Sequence, residues 1–217
     1  MQTANILREA TDVNNRLSAH FSATVAEMQK VVHAAVAAKG DASIELPRNA
    51  GGLLSYIYGT GALRSIFVPK GYKINRSNNI ESVYDPLKNI KIIFQNADSA
   101  CDATRDPRSI SENGPAAAKA VEFGQASLFP EFEEEDRKKE EEALREGTAA
   151  IWYFFVYIDG DDVRAELSRP KSIDENQFKG FHERIFILNP GDWTGVQLTE
   201  EDQNPAPQTF EINVTRK

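Results

Sequence analysis

Asp159, Asp161, Asp162 and Glu166 fall within the eight-residue stretch DGDDVRAE. Carboxylates clustered in this way can hold a divalent cation through oxygen ligands, and such a site would suit metal-dependent chemistry on nucleic acid. The same residues also suit a tight hairpin turn, where Asp and Gly accept backbone conformations that other side chains resist. Glu166 sits on the outgoing strand with Arg164 two residues before it on the same face. Ser168-Arg169-Pro170 stands where a nuclease would carry a lysine behind the acid. The turn is the expectation, and the four carboxylates are the secondary, metal-holding candidate.

Other reactive residue types are sparse. His20 and His33 are thirteen residues apart and cannot pair as i, i+4 ligands. His182 alternates with Glu183 and Arg184 along a strand, with no orienting partner of the kind a general base needs. Cys101 lies in DSACDA, where acidic neighbours oppose thiolate formation. GTGALRS (59–65) has two glycines of a phosphate-binding turn but lacks the third, the preceding strand and the distal acid. Trp193, in NPGDWTG, is expected to cover an edge of the core. No catalytic signature and no cofactor is expected from these residues.

The elements that would position them read as α+β. Ile6, Ala10, Val13, Leu17, Phe21, Val25, Met28 and Val32 recur at three- and four-residue steps, predicting one long amphipathic helix over 4–39, ended by Gly40. Such a helix would be about 50 Å long, more than the following domain could cover. Val13, Leu17, Phe21, Val25, Met28 and Val32 are therefore candidates for self-association, with packing on the chain's own core as the alternative. Residues 41–217 then form a mainly antiparallel sheet domain. Its expected strands are SIELP (43–47), GYKI (71–74), ESVY (81–84), NIKIIFQ (89–95), AAIWYFFVYI (149–158), VRAELS (163–168), FHERIFIL (181–188) and an edge strand in FEINVTRK (210–217). Residues 106–147 read as a linker or insertion carrying a charged helix over 133–147.

Charge narrows the partners. The chain has 217 residues and a formal net charge of −8, which argues against direct contact with nucleic acid, since phosphate binding calls for clustered Lys and Arg. The longest apolar run, 149–158, is half a membrane span. Cys101 is the single cysteine, so no intrachain disulfide forms, and a reducing, cytoplasmic setting is expected. Arg8, Glu9 and Asp12 stand where a signal peptide would be apolar.

One stretch proposes a partner. Gln125-Ala126-Ser127-Leu128-Phe129 precedes Pro130 and a dense acidic run. It resembles the short linear motif by which many bacterial proteins dock on the DNA polymerase sliding clamp, with Gln first, Ser third and Leu-Phe last. Ala126 stands where Leu is commoner. The resemblance implies that Leu128 and Phe129 fill an apolar pocket while the Gln125 amide bonds at its rim. The alternative is that Leu128, Phe129 and Phe132 staple the segment to the chain's own sheet. The expected function is thus a non-enzymatic interaction or regulatory accessory protein, of a kind that fits a phage or mobile element. A metal-dependent nucleic-acid enzyme, or an acidic DNA mimic using 131–142, are the alternatives.

Overall fold

The computed structural model describes residues 4–110, 121, 147–174 and 177–194. The docking pentapeptide 125–129, the acidic run 131–142, the charged helix expected over 133–147 and the edge strand expected at 210–217 lie outside them, apart from Gly147.

Helices on one face of a sheet make up the described body. Its sheet has seven strands among these residues: β1 (Asn5–Leu7), β2 (Lys73–Asn75), β3 (Ser82–Asp85), β4 (Ile90–Asn96), β5 (Ala150–Asp159), β6 (Asp162–Pro170) and β9 (Phe181–Leu188). The order is β1-β9-β6-β5-β4-β3-β2. A separate two-stranded ribbon pairs β7 (Ile173–Asp174) with β8 (Gln177–Phe178). The α+β class holds and four of the six seams of this sheet are antiparallel, but two are parallel. β1 runs parallel to β9, and β4 runs parallel to β5 from Ile90↔Ala150 to Asn96↔Val156. Residues 43–47, expected as a strand, form turns.

The single long helix is replaced by a broken one. α1 (Ala10–Arg16) passes into a π-helical turn over Leu17–Phe21. The helix ends at Ser22, whose φ of 56° is left-handed. α2 (Val25–Gly40) restarts with a capping box, in which Thr24 Oγ1 accepts from Glu27 N–H and the Glu27 carboxylate accepts from Thr24 N–H. Two lysines serve the carbonyls left over at the break. Lys70 Nζ donates to Ser22 O at 2.7 Å, and Lys88 Nζ donates to His20 O at 2.9 Å. The Lys70 ammonium also holds the Glu27 carboxyl below its usual range.

The broken helix still covers the apolar stripe. Val13, Leu17, Phe21, Met28 and Val32 are buried in the chain's own core, and Val25 packs against it. The six residues assigned to self-association are therefore spent internally. The period that suggested one helix persists across the break because both pieces face the same sheet.

α3 (Ala50–Phe67) takes in the glycine-rich stretch as a regular helix. Gly59 is needed there, since a Cβ would lie 2.5 Å from Phe94 Cζ on β4. That contact accounts for a glycine which otherwise suggested a phosphate turn. Large apolar side chains on the outer face of α3, Leu53, Ile57 and Tyr58, remain exposed.

β5 explains its own uninterrupted run. Trp152, Phe154 and Val156 face the helices, while Ile151, Tyr153 and Phe155 join a second cluster with Ile173, Phe178 and Phe181. A strand covered on both faces has no solvent side to make polar. No helix of the described residues is long and apolar enough to cross a membrane.

Candidate functional site

Side-chain chemistry concentrates on the sheet face opposite the helices. β6 and β9 pair antiparallel there, setting Glu166 opposite Phe186 and Ser168 opposite Arg184. Glu166 and Arg184 are 0% and 1% exposed. They meet in a two-pronged ion pair, with Arg184 Nε to Glu166 Oε1 and Nη2 to Oε2 both at 2.8 Å. Charges removed from water need such satisfaction on every side, and the neighbours supply it. Ser168 Oγ donates to Glu166 Oε1 at 2.8 Å, and Cys101 N–H donates to Oε2 at 2.5 Å. Arg184 Nη1 donates to the carbonyls of Asp102 and Arg105 at 2.8 and 3.2 Å. The rings of Phe181 and Phe186 lie 5.6 and 5.2 Å from the guanidinium carbon.

This pair organises the loop that follows β4. Cys101 takes a left-handed φ of 54° to aim its N–H at Glu166, and its thiol lies 3.1 Å from Ala165 O. Burial first, and the Glu166 carboxylate second, push that thiol far up from its ordinary pKa. Thiolate chemistry at Cys101 is opposed first by burial, and the carboxylate that adds to it is Glu166, sixty-five residues away, not the acids beside it in sequence. Farther along, Arg108 N–H donates to Asp98 Oδ1 at 2.9 Å, and Arg105 pairs with Asp98 at 2.5 Å.

Between this loop and the β7–β8 ribbon opens a cleft of about 1140 Å³. Arg105, Arg108, Lys171, Lys179 and Arg184 line it, against Asp106 as the only lining carboxylate among the described residues. Ile6, Phe178 and Phe181 supply apolar wall. Gln177 Oε1 is buried at its edge with no hydrogen-bond partner among the described residues. The arrangement can bind negative charge.

The carboxylates first considered for metal do not converge. Asp162 pairs with Arg164 at the hairpin, at 2.8 Å (Nε) and 2.5 Å (Nη2), and this holds its carboxyl below the usual range. Asp159 and Asp162 face each other across the turn, with Gly160 at φ 56° and Asp161 between them. Glu166, about 13 Å further along the strand by its rise, belongs to the ion pair with Arg184. Among the described residues no three His, Cys, Asp or Glu side chains are grouped to hold a metal.

The histidines are placed by packing. His20 meets the edges of Phe21 and Trp152, with ring centroids 4.8 and 6.0 Å away, and burial lowers its pKa. His33 packs tilted against Trp193, with ring centroids 4.7 Å apart, and its pKa is likewise lowered by burial. Trp193 covers an edge of the core, as expected. His182 is exposed and is lowered by partial burial and then by Arg169 and Lys171. Its neighbour Glu183 turns to the other face and binds Arg16 at 2.8 and 2.7 Å.

Sequence reasoning missed the cleft because its cations come from three separate segments, around 105, 171–179 and 184. The one local signal was Lys171 and Lys179 flanking a short turn. No protein-family model matches this chain, and neither a curated protein nor a solved structure matches it.

Proposed function

We propose that the chain acts by binding another protein through Gln125, Ser127, Leu128 and Phe129, with the bacterial DNA sliding clamp as the leading partner. The supporting observation is the closed β4–β5 seam. Seven consecutive residue pairs, Ile90↔Ala150 to Asn96↔Val156, join the two strands that the intervening chain connects. Both flanks of that intervening stretch are tied to the seam, by the Ala97↔Ser109 bridge on one side and by Asn89 Nδ2 donating to Thr148 Oγ1 at 3.3 Å on the other. Val121, four residues before the pentapeptide, packs against the second core cluster. In this reading Leu128 and Phe129 enter a partner's pocket, where two truncations typically remove several kcal/mol.

Retention on immobilised purified clamp tests this. Wild type should be captured, and Leu128→Ala/Phe129→Ala should lose at least about tenfold in affinity. Equal capture of both proteins, or capture of neither, overturns the proposal.

A further inference from the structure

We infer that the cleft between the loop after β4 and the β7–β8 ribbon binds a small multivalent anion, a phosphate ester or a di- or tricarboxylate. Its cations stand on two opposed walls. Arg105 and Arg108 come from the loop, and Lys171 and Lys179 come from the ribbon side. Both walls are fixed before any ligand arrives. On the ribbon side, Lys171 N–H donates to Gly180 O at 3.0 Å and Lys179 N–H donates to Ser172 O at 2.9 Å, so the two lysines sit on adjoining backbone. On the loop side, Asp98 N–H donates to Arg108 O at 3.0 Å, and Arg184 holds the Asp102 and Arg105 carbonyls from below. Preorganised walls lose little freedom when a ligand binds.

The charge balance within the cleft favours an anion. Glu166 and Asp106 both face Arg184, the latter at 3.7 Å, and Asp98 matches Arg105. Arg108 and Lys179 are exposed and have no carboxylate partner among the described residues. A positive concavity in a chain of net charge −8 is a local arrangement, and its walls concentrate the field inside it. The same overall charge repels a long polyphosphate, which favours a small ligand over nucleic acid. A volume of about 1140 Å³ is ample for a metabolite-sized molecule with its water.

Calorimetric titration of the full chain with pyrophosphate, with citrate and with a short single-stranded DNA decides the matter. The expected result is saturable binding of pyrophosphate or citrate, weakened tenfold or more in Arg108→Ala/Lys179→Ala. Because both side chains are exposed, the melting temperature without ligand should stay unchanged. Leu128→Ala/Phe129→Ala should bind the anion as wild type does, which separates this site from the proposed docking peptide. No saturable heat from either anion at millimolar concentration overturns the inference. So does unchanged affinity in the Arg108/Lys179 variant, or tighter binding of the DNA than of both small anions.

Discussion

Arg184→Ala should lower the free energy of unfolding in urea by about 3–5 kcal/mol, the usual cost of breaking a buried ion pair from one side. The size follows from what the substitution leaves behind. Glu166, fully buried, would lose both guanidinium contacts. It would retain only the Ser168 hydroxyl and the Cys101 N–H as donors. The carbonyls of Asp102 and Arg105 would also lose their donor, so the loop carrying Arg105 and Arg108 would loosen with the core. A second substitution separates charge from packing. In Arg184→Met/Glu166→Gln the methionine refills the volume, and the Gln carbonyl can still accept from Cys101 N–H without a buried net charge. About half of the lost stability or more should return, since apolar replacement of a whole buried pair is often near neutral. A single-variant loss below about 1 kcal/mol would mean that the pair is not desolvated as described.

Two glycine-to-alanine changes in α3 should move stability in opposite directions. In a helix interior, alanine is better than glycine by about 1 kcal/mol. At Gly61 the new methyl meets nothing within 4 Å, so Gly61→Ala should stabilise by about 0.5–1 kcal/mol. At Gly59 the methyl would lie 2.5 Å from Phe94 Cζ and 2.8 Å from Cδ2. The ring cannot step aside, because it is fully buried and packs edge-on to Phe154 at 6.4 Å. Overpacking of a tight core costs about 1–3 kcal/mol, which outweighs the propensity gain, so Gly59→Ala should be net destabilising. Phe94→Leu opens the space, and adding it to Gly59→Ala should cost less than the two single changes summed. Thermal or urea unfolding of the four variants measures that coupling. Matching stabilisation at both glycines would show that α3 stands farther from β4.

Legibility in the sequence tracked how local each determinant is. The β5 run, the DGDD turn and the alternating FHERIFIL strand were readable because alternation and turn chemistry act within ten residues. The break between α1 and α2 had a local mark, Thr24-x-x-Glu27, but the unbroken apolar period overrode it. Periodicity reports which face is buried; it does not report whether the helix that buries it is continuous. Glu166 was noticed for its charge and assigned to the wrong neighbours, since its partner lies eighteen residues on and is fixed by the register of β6 against β9. The parallel β4–β5 seam was beyond reach. Nothing in NIKIIFQ names a partner strand that begins more than fifty residues later.

The strand order carries one more consequence. Strands β1 to β4 precede the 111–146 stretch in the chain and β5 to β9 follow it, yet β1 lies at the far edge from β2, β3 and β4. The earlier half brackets the later half from both sides, meeting it at β1–β9 and again at β4–β5. A backbone nicked within 111–146 would thus leave two fragments mutually enclosed, one held like a book between bookends. Residues 1–115 and 140–217, co-expressed as separate polypeptides, should elute together from a sizing column as a single particle.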